Sequence, residues 1–418
     1  MVKFRGAIKE AATLLSGSLV AQVITLVAYF VLLRIYTPAD FGLFTIFYSY
    51  IEVLIIASTC KYEMAVVAVD TDREAAAVSR FALRLNTFVS LALLLLLTVL
   101  TVAGWLPGKF ARLGWLALLI APMVFFCGNN RVYSALYNRF HRYRAMAASD
   151  VIGAGSGVVL KTLFGLLGIH SSGLPLGAVL GQAAANVNYR LGLRHLELPA
   201  TDVAEQRQVA RVQSNYPRYV APKDFISSLS SNLPFIWLAL YFDNAFVGLL
   251  GIAMTFIIQP CNIVCGAFER VLYARTAEAV REGRSVWRQL VRFVLSVEAV
   301  AVTVAVLLWF FADPLFAFCF GGRWIGCGEY VRALLPWALA VAGSLPLMFI
   351  PNIFGTQRTE FFIYLCQLAL RAGAIAVGIA KDDFLLAVRL FAAVSALTAL
   401  TLLAWYMMQI VRHEREVR

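Results

Sequence analysis

Apolar stretches of about twenty residues recur from end to end of the chain, joined by short polar and basic connections. A hydrocarbon layer about 30 Å thick takes about 20 apolar residues of helix to cross. Twelve segments meet or approach that length. In the first half they are Ala11–Leu33, Phe41–Ala68, Phe81–Trp105, Gly114–Tyr137, Ala147–Gly168 and Leu174–Leu193. In the second half they are Lys223–Phe242, Phe246–Glu269, Leu290–Ala312, Tyr330–Pro351, Phe361–Ile379 and Phe384–Ile410. Backbone polar groups in lipid must be satisfied within the segment, so each span is expected as an α-helix. The sixth and seventh are diluted by Gln182, Asn186, Asn188, Ser227, Ser228, Ser230, Ser231 and Asn232. Such spans persist where neighbours shield them from lipid or where they face a wet cavity. Without these two, a ten-span protein is the alternative.

Composition agrees with the pattern: 61% of residues are hydrophobic and only 14% charged. The net charge of +12 is distributed unevenly. With both termini on the cytoplasmic side, the inner segments hold about 22 Lys and Arg. The outer loops hold about five: Arg34, Lys109, Arg112, Arg323 and Lys381. Basic residues concentrate on the cytoplasmic side of membrane proteins, so the pattern predicts N-in and C-in. The charge is thereby accounted for without nucleic acid, although the basic clusters also suit anionic lipid head groups. The first apolar run is longer than a signal-peptide core and is followed by Arg34 and Tyr36, so it is expected to remain as a helix. The seven Cys show no metal spacing, and neither a metal nor a cofactor is expected. Cys319 and Cys327 fall on the outer side, as two thiols or, alternatively, a disulfide.

The second half echoes the first. Phe41-Gly42-Leu43 and Tyr62-Glu63 align without a gap on Val247-Gly248-Leu249 and Phe268-Glu269, 206 positions later. A weaker echo relates Asn138, Phe140 and Arg144 to Asn352, Phe354 and Arg358. Six spans per repeat imply parallel halves, an arrangement in which transporters bind substrate between halves that rock. The expected organisation is a six-helix lobe over 1–193, a cytoplasmic linker over 194–222 and a second six-helix lobe over 223–418.

Four motifs lie in order along this frame. They are Arg34-Ile35-Tyr36-Thr37-Pro38-Ala39-Asp40-Phe41-Gly42, Tyr62-Glu63, and Asn215-Tyr216-Pro217-Arg218-Tyr219 with Pro222 and Pro234. The last is Phe320-Gly321-Gly322-Arg323-Trp324 with Gly328, Tyr330 and Pro336. Together they resemble the Wzx-type polysaccharide flippases of the multidrug/oligosaccharidyl-lipid/polysaccharide exporter (MOP) superfamily, with Cys327 in place of the usual Ala. The resemblance implies a MATE-like fold of two six-helix lobes in the bacterial inner membrane. It implies an undecaprenyl-pyrophosphate-linked oligosaccharide as cargo, for O-antigen, capsule or exopolysaccharide assembly, with membrane lipids and other assembly proteins as partners. A cation-coupled drug or metabolite antiporter of the same superfamily is the alternative. A membrane polymerase or ligase fits least, because the outer loops are short and the four His lie in loops or at ends.

Charges inside spans cost about 2.5–3.5 kcal/mol each on insertion scales and therefore mark candidate sites. Arg371 and Lys161 are candidates for an anionic cargo, or for interhelical pairs with Glu298 and Glu52. Arg131 and Lys61 lie nearer the cytoplasmic side and are further cargo candidates. Asn262 and Asn232 are placed to meet sugar hydroxyls or to join helices. Glu52 is the candidate protonatable group, since low dielectric disfavours a charged carboxylate. Glu63 and Glu269, at repeat-equivalent positions, are candidate gates or helix-end anchors, and Glu298 completes the coupling set. Gly153-Ala154-Gly155-Ser156-Gly157 follows no strand, and is expected to allow close helix contact rather than to bind a nucleotide. Pro122, Pro234, Pro260 and Pro346 are expected as kinks.

Overall fold

The computed structural model describes residues 20–105, 108–194 and 196–417, and these are predominantly helical, without strands. The helices of the first half are α1 (Val20–Ile35), α2 (Pro38–Thr59), α3 (Tyr62–Ala68) and α4 (Asp72–Val102). They continue with α5 (Ile120–Arg139), α6 (Tyr143–Leu166) and α7 (His170–Leu193). Then come α8 (Val203–Val212) and α9 (Ala221–Tyr241). The second half holds α10 (Asn244–Arg281), α11 (Trp287–Phe320), α12 (Cys327–Ser344), α13 (Ile350–Phe354), α14 (Gln357–Ala380) and α15 (Phe384–Val417). Nine helical segments among the described residues are long and apolar enough to cross a membrane. The other three expected spans coincide with α1, α7 and α9; the first of these begins in residues 11–19, outside the described part.

The expected second span does not run unbroken to Ala68. It stops at Thr59, and Cys60 and Lys61 both adopt left-handed backbone, with φ of 48° and 61°, before α3 begins. Neither is glycine, so hydrophobicity alone carried no sign of the break. The corresponding stretch of the second half has none, since α10 continues from Asn244 to Arg281. The tenth span is also interrupted, by a 3-10 turn at Leu345–Leu347 that contains Pro346. Pro234 and Pro260 lie inside α9 and α10, whereas Pro122 sits in the first turn of α5, where proline costs little.

The chain divides into two compact units, residues 1–232 and 233–418, with the boundary inside α9. In the first unit the turn before α2 shows what the Tyr-Thr-Pro-Ala-Asp run does. Thr37 and Asp40 form a capping box: the Asp40 N–H donates to Thr37 Oγ1 (3.3 Å) and the Thr37 N–H donates to Asp40 Oδ2 (2.9 Å). Pro38 occupies the first helical turn, where its missing N–H is harmless. Tyr36 is fully buried, and its hydroxyl donates to the Lys161 carbonyl on α6 (2.7 Å).

Helices α6 and α7 approach through glycine. A Cβ on Gly181 would stand 2.7 Å from Gly157 Cα and 2.8 Å from the Gly153 carbonyl oxygen. The Gly153–Gly157 run is therefore a helix-contact surface, as expected. The polar residues of α7 are turned inward. Asn130 of α5 donates to the Gln182 carbonyl (3.0 Å) and side chain (2.9 Å), Asn186 donates to Asn130 Oδ1 (3.0 Å), and Asn188 donates to Ser149 of α6 (2.8 Å). Amides satisfied by neighbouring helices explain how so polar a segment stays helical.

The connection 194–222 is not a plain loop. Helix α8 packs on α4, with its Asp202 cap accepting from the Glu205 N–H (2.6 Å), and Arg73 of α4 forks onto the Glu205 carboxylate. In the second unit α12 packs against α10, α11 and α15. Glu414 of α15 accepts from the N–H groups of Val286 (2.7 Å) and Trp287 (3.0 Å), capping α11, which has no side-chain cap of its own. Trp324, from the Phe-Gly-Gly-Arg-Trp motif, is fully buried beside Gly321, whose φ of 93° turns the chain out of α11. Cys319 and Cys327 are separate thiols, and Cys327 Sγ donates to the Leu249 carbonyl (3.3 Å).

Candidate functional site

In the first unit the chemistry gathers along one face of α2. Phe44, Tyr48 and Glu52 follow at four-residue spacing and so lie on one stripe. At one end the Lys161 ammonium of α6 stands over the Phe44 ring, 4.9 Å from its centroid. The site's backbone is held from both sides: Tyr36 bonds the Lys161 carbonyl, and Gly177 of α7 lies so close that a Cβ there would be 2.7 Å from the Lys161 nitrogen. Lys161 is partly buried, and among the described residues no carboxylate lies within ion-pair distance of its ammonium. The alternative of an ion pair with Glu52 is not formed among the described residues. A cation over a ring gains about 0.5–2 kcal/mol, which leaves its three N–H donors available to an anion.

One turn along, Tyr48 keeps 37% of its surface exposed and packs beside Phe44, with ring centroids 5.7 Å apart. Glu52 of α2 and Arg131 and Cys127 of α5 share its electrostatic environment. Glu52 is also tied to α9, since the Ser228 hydroxyl donates to its carbonyl (3.0 Å). The structure thus brings Glu52 and Arg131 to one place and adds Phe44, Tyr48 and Cys127, which the sequence reading missed. The four-residue spacing of Phe44, Tyr48 and Glu52 along α2, and of Cys127 and Arg131 along α5, was the available signal.

Farther along, Lys61 forms an ion pair with Asp224 of α9 (2.8 Å). Beside it Glu63 is 8% exposed, and its Oε2 has no hydrogen-bond partner among the described residues. Arg73, a basic residue near that helix end, is on Glu205 instead. Arg139 serves the far end of α3, donating to the carbonyls of Val66, Val69 and Asp70 and to Asp72 (2.9 Å). Asn232 donates back to the Ser228 carbonyl one turn earlier (3.0 Å).

In the second unit Arg371 is 4% exposed and enclosed. It donates to Ser395 Oγ (2.8 Å) and lies over the rings of Phe391 (4.9 Å) and Trp337 (5.6 Å). It belongs to a polar ladder between α14 and α15: Thr356 to Gln409 (2.8 Å), Tyr406 to Glu360 (3.3 Å), and Gln367 to Thr398 (2.8 Å). Sequence reading singled out Arg371 and overlooked its neighbours, because uncharged hydroxyls and amides carry little signal in an apolar span. Glu298 of α11 packs against Gly343 of α12, where a Cβ would meet its carboxylate. Glu269 is partly buried on α10, while Asn262 is exposed. Arg332 of α12 is paired with Asp313 of α11 (2.8 Å). No group of His, Cys, Asp and Glu among the described residues is arranged to hold a metal ion.

Comparison with known proteins places this architecture. Several solved structures are similar in fold at low sequence identity. An inward-facing multidrug resistance transporter of the MATE family, in the MOP superfamily, superposes with a TM-score of 0.74 at 13% identity, over 94% of this chain and 96% of that one. The lipid II flippase MurJ, in an inward closed conformation, gives 0.72 at 10% identity, over 98% and 90%. A MOP transporter from Pyrococcus furiosus, described as having a binding pocket of reversed polarity, gives 0.65 at 13% identity, over 97% and 96%. No curated protein sequence matches the chain. The model of the family described as polysaccharide biosynthesis protein matches residues 31–329, most of the sequence. With that match and this fold, the chain is a multi-pass membrane protein that belongs to the polysaccharide biosynthesis protein family.

Proposed function

We propose that this protein is a flippase that carries an undecaprenyl-pyrophosphate-linked oligosaccharide from the cytoplasmic to the periplasmic leaflet of the bacterial inner membrane. Its product would feed O-antigen, capsule or exopolysaccharide assembly, alongside the other proteins of that assembly. The family match and the likeness to a lipid II flippase support the class. The observation that carries the reading is Lys161: an ammonium within a span, set over an aromatic ring and lacking a carboxylate partner among the described residues. A charge so placed marks a functional site by default, and a pyrophosphate supplies the counter-charge. Tyr48 offers a ring and a hydroxyl to a sugar one turn away, and Glu52 is the protonatable coupling group, with Arg131 beside the cargo path. In this reading Arg371, Glu298 and Lys61 hold helices together. Glu63 and Glu269 serve gating, and Asn232 and Asn262 lie at the margins of the cargo path.

The test is deletion of the gene with analysis of lipid-linked intermediates. Undecaprenyl-pyrophosphate glycan should accumulate in the inner leaflet while surface polysaccharide is lost. K161A, expressed at the wild-type level, should fail to restore surface glycan, whereas R371K should restore it. Normal surface glycan in the deletion strain together with weakened drug efflux would replace this reading with the antiporter one, which the likeness to a multidrug transporter keeps in view.

A further inference from the structure

The junction between α2 and α3 is a strained joint, and the repeat supplies its relaxed counterpart. Cys60 and Lys61 hold two consecutive left-handed residues without glycine, a conformation that L-residues with a Cβ adopt at a cost. Lys61, at the N-cap of α3, provides no side-chain bond to its first turn. The neighbouring Glu63 is buried with one carboxylate oxygen unpartnered among the described residues, a second penalty specific to this arrangement. At the positions related by the 206-residue repeat, Gly266 and Ala267, helix α10 runs straight through.

What opposes the strain is a small set of ties. Lys61 is paired with Asp224 of α9, and the Tyr62 hydroxyl donates to the Ala210 carbonyl of α8 (3.2 Å). At its other end, α3 is clamped by Arg139. Both ties at the strained end run to segments on either side of the turn Tyr216–Val220, which itself packs on α3.

We propose that α2 and α3 interconvert between this broken form and one continuous helix, with the Lys61–Asp224 pair as the latch that holds the break. Joining the helices returns Cys60 and Lys61 to right-handed backbone. It gives the N–H groups of Tyr62 and Glu63 helical acceptors in Ser58 and Thr59, and rotates Glu63 out of its buried seat. Its use as a gate rests on the flippase reading; the interconversion itself does not.

Amide hydrogen exchange on the purified full-length protein in lipid nanodiscs tests this at Tyr62 and Glu63. D224N removes the latch and should raise protection there about two- to fivefold, the range for a partly exposed ion pair. K61A and K61G both abolish the pair but differ in tolerance of the left-handed region. K61A should shift toward the continuous helix and raise protection. K61G should stay broken, with protection about tenfold lower than in K61A. Equal exchange in K61A and K61G, or D224N exchanging like the wild type, would overturn the proposal. Normal surface glycan in the deletion strain would sink the flippase reading without touching this result.

Discussion

Adding a single methyl group at Gly181 should separate α6 from α7. The Cβ of Gly181→Ala would stand 2.7 Å from Gly157 Cα, 2.8 Å from the Gly153 oxygen and 3.0 Å from the Gly157 nitrogen. All three are backbone atoms, so no rotamer change relieves the contact. Carbon atoms pack best at about 3.5–4.0 Å, and the helices must therefore part by about 1 Å. A gap of that size forfeits about a quarter to a half of the dispersion attraction along the seam. Overpacking of this kind costs about 1–3 kcal/mol. Gly155 provides the control on the same helix, because a Cβ there meets nothing within 4 Å. Gly155→Ala should be neutral or stabilise by up to about 1 kcal/mol, through the helix preference of alanine. Thermal unfolding in detergent, followed by the surviving monodisperse peak, should place G181A below and G155A at or above the wild type. G181A melting with the wild type, or G155A falling as far, would refute the packing argument.

Two further outcomes follow from contacts elsewhere. Glu414→Ala removes the acceptor for the Val286 and Trp287 N–H groups, and should cost about 1–2 kcal/mol and speed hydrogen exchange at those amides, with E414Q intermediate. The hydrogen bond from Arg73 holds the Glu205 carboxyl below its usual range. Its contribution is therefore present above the ordinary carboxylate pKa and is lost as pH falls through the depressed one. Limited proteolysis of residues 194–222 should accelerate below about pH 4. In E205Q it should be faster already at neutral pH, with a flatter pH profile.

The amino-acid pattern alone determined that this chain is a bundle of long apolar helices and, within a few residues, where most of them lie. The reason is local: hydrocarbon demands runs of apolar residues, and such runs are visible without knowing what they pack against. The same rule made Lys161, Glu52, Arg131 and Arg371 conspicuous, because charge is rare in spans. It also made the Gly153–Gly157 surface legible, since small residues in a helix face invite another helix. Tertiary structure decided the rest. Whether a charge is enclosed or available depends on partners far away in sequence. Arg371 is covered by Trp337, Phe391 and Ser395, whereas Lys161 is left with one ring. The break at Cys60–Lys61 has no glycine or proline to announce it, because an ion pair to a residue more than 160 positions later helps to hold it. The polarity of α7 reads as weakness along the chain and becomes its means of attachment once Asn130 and Ser149 are brought alongside. Hydrophobic length is a property of a segment, and partnership is a property of the fold.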